Sequence, residues 1–164
     1  MRNAIVAVPY RDILSGDTNY AKNGIMSDEA EKGEQGEESV KPLFWIANSL
    51  ADLREFPEEV KDTIGFALYQ AQKGAKHIAA KPLKGFGGAG VLEIVEDDTG
   101  STFRGVYTVK FAGVVYVLDA FQKKSKRGAK TPKRDIDRIK RRLKAAEEHY
   151  ETWHIAQQGE AENQ

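Results

Sequence analysis

The chain has 164 residues, 40% hydrophobic and 30% charged, with a formal net charge of +0, which suits one soluble domain with a modest core. It has no cysteine, and His77, His149 and His154 lack a recognised ligand spacing, so disulfides, thiol chemistry, metals and cofactors are not expected. No apolar run approaches the roughly 20 residues of a membrane span, and AIVAVPY near the start lacks a cleavage-site pattern, so a cytoplasmic protein without membrane contact is expected.

Residues 1–25 read as an upstream extension or a short separate piece. The stretch from Ser27 to Val40 sets Asp28, Glu29, Glu31, Glu34, Glu37 and Glu38 against Lys32 alone. Such a segment repels itself and has too little apolar surface to fold, so it reads as a disordered acidic linker. Residues 1–40 are therefore set apart, a folded domain is expected over 41–150, and 151–164 form a polar tail that frays.

Within the domain, PLFWI (42–46) is a short apolar strand. Ser49 opens a helix, with Asp52 three positions on as a capping-box partner. Pro57 restarts it, and Val60, Ile64, Ala67, Leu68 and Ala71 recur at helical spacing until Gly74. β-branched and aromatic residues separated by turns at 97–100 and 112–113 then predict a three-stranded antiparallel meander over 90–96, 102–110 and 114–121. A last helix starts with Thr131 as cap and Pro132 in its first turn, and carries Ile136, Ile139, Leu143 and Ala146 as its apolar stripe. This order predicts an α+β fold: a small antiparallel sheet with the helices packed on one face, leaving the other solvated or free to bind.

From Phe121 to Lys144, twelve basic residues face only Asp135 and Asp137. That excess costs self-repulsion unless a polyanion shares the site. Strand alternation puts Thr102, Arg104, Val106 and Thr108 on one face, and groups Asp119 and Phe121 with Val115 and Val117. Arg104 is the only charge within its strand, and burying it unpaired is costly, so an exposed position or an edge is expected for it. GFGGAG (85–90) is not a dinucleotide loop, because no strand leads into it and a strand, not a helix, follows.

The order of elements, together with KPLKGFGGAGVLEI, TFRGVYTV, VYVLDAFQKKSKRGAKTP and the final amphipathic helix, resembles the RelE/HigB superfamily of toxins. The closest likeness is to its phage-related branch, the Tad-type toxins, over about residues 41–150. The resemblance implies a RelE-like fold and a metal-independent mRNA endonuclease acting on the ribosome. It also implies a helix-turn-helix antitoxin as partner, in a toxin–antitoxin hetero-oligomer. It points to Lys81, Lys84, Arg104 and Lys123 as the catalytic set: Arg104 and Lys84 on the scissile phosphate, Lys81 or Lys123 on proton transfer. Phe121, Gln122, Lys124, Lys126, Arg127 and Lys130 are the matching RNA-binding candidates. Two departures from many relatives stand out: Val95 where they carry arginine, and Asp119 where they carry histidine. They motivate a competing expectation, a non-catalytic RNA- or ribosome-binding module on the same scaffold. A DNA-binding role for the last helix is disfavoured, because no helix-turn-helix partner precedes it.

Overall fold

The structure is a computed structural model that describes residues 5–8, 13, 40–88, 90–123 and 130–162. It contains β1 (Ile5–Ala7), β2 (Leu43–Ile46), α1 (Ser49–Arg54), α2 (Glu58–Gln72), β3 (Lys81–Pro82), β4 (Val91–Asp98), β5 (Ser101–Thr108), β6 (Val115–Lys123) and α3 (Lys133–Glu162). The six strands form one sheet in the order β1-β2-β6-β5-β4-β3. Every pairing is antiparallel except β2 with β6.

The α+β class and the three-strand meander are as expected. The placement of the helices on one face is corrected. Val60, Ile64, Ala67, Leu68 and Ala71 of α2 pack with Trp45, Val115, Val117, Phe103 and Tyr107. On the opposite face Ile136, Ile139, Leu143, Ala146, Tyr150 and Trp153 of α3 pack with Phe44, Ile46, Val106, Tyr116 and Leu118. The central strands are apolar on both faces, so each face must be covered. The predicted stripes of both long helices are the buried ones, and that of α3 runs two turns further, to Trp153. α3 continues past Trp153 to Glu162, through residues that mostly favour helix.

Residues grouped with the N-terminal extension also lie on the sheet. β1 pairs with β2, Ile13 is buried in the α2-side core, and the Trp45 indole N–H donates to Val8 O at 3.2 Å. The acidic stretch up to residue 39 lies outside the described residues.

α1 starts at Ser49 as expected, but the capping of the helices differs from expectation. Asn48, not Ser49, precedes α1, and its amide donates to Asp52 Oδ2 at 2.7 Å. The first backbone bonds of α3 run to Pro132 O rather than to Thr131. Both hydroxyls are used elsewhere. Ser49 Oγ donates to Val117 O, and Thr131 Oγ1 accepts from Arg104.

Strict alternation fails in β6. Val106 opposes Asp119, whereas Tyr107 opposes Val117, so Leu118 is an extra residue, a β-bulge. Beside it, Val117 O accepts from Ser49, and Leu118 O accepts from Arg142 Nη1 at 2.9 Å. The bulge turns Asp119 and Phe121 to the α3 side, which corrects their expected grouping with Val115 and Val117. Asp119, only 1% exposed, accepts from Arg142 Nη1 at 2.8 Å and from Arg138 Nε and Nη2 at 2.8 and 2.7 Å. Arg142 Nη2 continues to Asn48 Oδ1 at 2.6 Å, so one buried carboxylate ties β6, α3 and the start of α1 together.

Two stability outcomes follow. Asp119→Ala leaves Arg138 and the buried Arg142 without their common carboxylate and should cost about 3–5 kcal/mol in urea unfolding. A Cβ on Gly105 would stand 2.8 Å from Ile64 Cγ2, so α2 rests directly on that glycine. Gly105→Ala should cost about 1–3 kcal/mol, with Ile64→Ala in the same chain recovering part of the overpacking.

Candidate functional site

The α3-side face of β4, β5 and β6 carries a charged group among apolar neighbours. Arg104 lies in the middle of β5, directly between Val95 of β4 and Phe121 of β6. It is 9% exposed, not at the open position expected for an unpaired charge. Pairing resolves the cost: Nη1 donates to Glu93 Oε2 and, at 3.1 Å, to Thr131 Oγ1. Arg104 Nε is buried and has no hydrogen-bond partner among the described residues. A buried guanidinium N–H without an acceptor is uncommon and marks a place where an anionic oxygen would be favoured.

Lys123 belongs to the same face. It was expected in the segment after the last strand, but β6 extends to it, and it opposes Thr102 with 7% exposure. Burial, and then the neighbouring Arg104 charge, hold its ammonium below the ordinary lysine value, while Glu93 acts in the other direction. Desolvation and a like charge both favour the neutral amine.

Lys81 opposes Glu93 in β3, which puts it on this face at the sheet edge, where it is exposed. Lys84 is exposed in the following turn. That turn packs on the start of α3, with Gly85 against Ile136 and the Lys140 ammonium 6.0 Å from the Phe86 ring. Phe121 is partly buried, and the Arg138 guanidinium lies 5.5 Å from its ring centroid. Lys130 is exposed just before Thr131.

Of the sequence-predicted set, the fold thus places Lys81, Arg104, Lys123 and Phe121 on one face, with Lys84 and Lys130 in the bordering loops. Gln122 does not join them. It opposes Phe103 on the α2 side, and its amide donates to Ser101 Oγ at 2.9 Å. Lys124, Lys126 and Arg127 lie outside the described residues. Tyr107 of β5 lies on the other face, 1% exposed in the α2-side core, where burial pushes its phenol up to about 12.

Glu93, Thr131 and Arg138 are site residues that the sequence reading missed. A signal for Glu93 existed. Thr99 and Gly100 both have positive φ, 43° and 81°, as a two-residue hairpin turn requires. That turn pairs Asp98 with Ser101, and counting back puts Arg104 opposite Val95, one same-face step from Glu93. Thr131 and Arg138 had no local signal, because each reaches the sheet only through the docking of α3.

Among the described residues no group of three or more His, Asp or Glu side chains is placed to hold a metal ion, and no helix is long and apolar enough to cross a membrane. The face can concentrate positive charge on a small anion, with one amine shifted toward neutrality beside it.

A family model for phage-derived proteins of the Gp49-like type (DUF891) matches residues 51–144, more than half of the chain. The matched stretch spans α1 to the middle of α3 and contains every described residue of the site. Among curated proteins and among solved structures, nothing matches. With a RelE-like α+β fold and this match, the chain belongs to the phage-derived Gp49-like family, a family of RelE/HigB-like toxins.

Proposed function

We propose that the protein is the toxin of a type II toxin–antitoxin pair, of the Tad-type branch, and cleaves messenger RNA on the ribosome without a metal or cofactor. The observation that carries this reading is the buried Arg104 Nε, left without an acceptor beside a lysine whose charge is disfavoured.

In the proposed reaction the ribose 2′-oxygen attacks the adjacent phosphorus and gives its proton to the neutral amine of Lys123. The bond from phosphorus to the 5′-oxygen breaks, and that oxygen takes a proton from Lys81. The products are a 2′,3′-cyclic phosphate and a free 5′-hydroxyl. Arg104 and Lys84 hold the non-bridging oxygens as charge builds on the phosphorane, which is where fixed cations lower the barrier most. Phe121 stacks one base. Lys124, Lys126, Arg127 and Lys130 follow the RNA backbone, and the exposed bases of α3 dock ribosomal RNA. The cell compartment is the cytoplasm, and the partner that silences the site is a helix-turn-helix antitoxin in a hetero-oligomer.

A second reading, a non-catalytic RNA- or ribosome-binding module, is favoured by one feature: Glu93 already engages Arg104. The two readings part on translating ribosomes. If the nuclease reading holds, the wild-type chain generates new mRNA 5′ ends, mapped by primer extension. Arg104→Ala lowers the single-turnover rate by about 10²–10³-fold, as loss of one oxyanion donor does elsewhere. Ribosome association without new 5′ ends decides for the binding module.

The pH profile tests the assignment of the base. Lys123 must be neutral to accept the proton, and its value is lowered from 10.5. The single-turnover rate should therefore climb about tenfold per pH unit from neutral pH and level off before pH 10.5. Lys123→Met should remove the climb. An unchanged profile assigns the proton transfer to another group.

A further inference from the structure

Arg138 stands beside the site with its hydrogen bonds turned inward, away from it. Nε and Nη2 donate to Asp119 Oδ2 at 2.8 and 2.7 Å, and Nη1 donates to Asp135 Oδ1 at 2.9 Å. Its guanidinium nonetheless lies 5.5 Å from the Phe121 ring centroid, within cation–π range. Phe121 is in turn the direct cross-strand neighbour of Arg104. Asp119 is itself fixed, 1% exposed and shared with Arg142 and the Ala120 backbone N–H.

We propose that Arg138 is a positioning residue. Held by Asp119 and Asp135, it fixes the Phe121 ring as the seat for one RNA base next to the Arg104 phosphate position. A guanidinium with three of its five N–H donors already bound to carboxylates is a weaker phosphate ligand but still a planar backing for a ring. The bulge at Leu118 is what makes the bracket possible, because it turns Asp119 toward α3 while Phe121 stays beside Arg104. Asp119 thereby acts on the site through Arg138. A base stacked on a rigid ring loses less freedom on binding than one that must order the ring as well. The inference rests on the proposed RNA-binding role of Phe121. It does not require that the RNA be cut.

The test uses the full chain and a fluorescent single-stranded 2′-O-methyl oligoribonucleotide, which keeps the bases but cannot undergo 2′-hydroxyl attack. Affinities come from anisotropy for wild type, Phe121→Leu, Arg138→Gln and the double variant. Phe121→Leu should weaken binding by about 5- to 100-fold, the range of a lost base stack. Arg138→Gln should weaken it in the wild-type background and add little in the Phe121→Leu background. Arg138→Lys keeps a cation for Asp119 and so guards against unfolding, but loses the planar fork. It should bind as weakly as Arg138→Gln. Additive effects of the two substitutions overturn the proposal, as does wild-type affinity in Arg138→Lys, since either makes Arg138 a plain backbone cation. No binding by the wild-type chain also overturns it. Failure of the nuclease reading shows separately, as absent mRNA cleavage on ribosomes while this coupling persists.

Discussion

One buried carboxylate organises this molecule. Asp119 is almost wholly enclosed, yet it accepts from two arginines of α3 and from its own following backbone N–H. A charge in such a place is tolerated only when paired and hydrogen-bonded. Its partners carry the constraint outward. Arg142 reaches the bulge carbonyl at Leu118 and Asn48 ahead of α1, and Arg138 reaches Asp135 and the face of Phe121. Apolar packing of α3 along β6 and β2 sets its distance from the sheet. Apolar contacts are non-directional, however, and would tolerate a shift of the helix along its axis. The Asp119 bridge removes that freedom and so fixes where Thr131 and Arg138 stand relative to Arg104.

The site itself shows how a sheet interior keeps a cation. Arg104 sits two strands from the nearest edge, where an unpaired guanidinium would be expelled or neutralised. Glu93 balances the charge across the hairpin, and Thr131 takes a further bond from the start of α3. Lys123 on the next strand is disfavoured as an ammonium first by burial and then by Arg104, with Glu93 acting the other way. Arg104, Lys123 and the edge Lys81 outnumber Glu93, so this part of the face carries a net positive charge. Val95, directly opposite Arg104, adds no charge to it. A further strand cation directly opposite Arg104 would have no carboxylate left to meet.

Periodicity made most of the frame legible. The α2 stripe from Val60 to Ala71 and the α3 stripe from Ile136 to Ala146 are sequence patterns that the fold buries as read. The meander likewise follows from β-branched runs and turn residues. What was not legible depends on partners distant in sequence. The bulge at Leu118 exists because Ser49 and Arg142 take the carbonyls beside it, and neither is a neighbour in the chain. Once the bulge is missed, every side chain from Asp119 onward is assigned to the wrong face. The same holds for the helix starts, where Ser49 and Thr131 look like caps locally but spend their hydroxyls on the sheet. Coverage of both faces was hidden for a further reason. The stripe of α3 says only that the helix must pack, not on which side.

The basic run from Lys123 to Lys144 is also less uniform than its charge count implies. Lys123 is buried in the sheet, and Arg138 and Arg142 are committed to Asp119. Lys133 pairs with Asp137 at the surface, a contact worth little in water. Among the described residues of this run, the exposed charges are therefore those of Lys130, just ahead of α3, and of Lys133, Arg134, Lys140, Arg141 and Lys144 along its first half. The second half carries Glu147, Glu148, Glu151 and Glu160 with no lysine or arginine. A helix divided in this way carries a positive potential at the end beside Arg104 and a negative one at the other. The neutral total charge of the chain thus conceals a dipolar helix, whose positive half lies beside the one buried N–H on this face without an acceptor among the described residues.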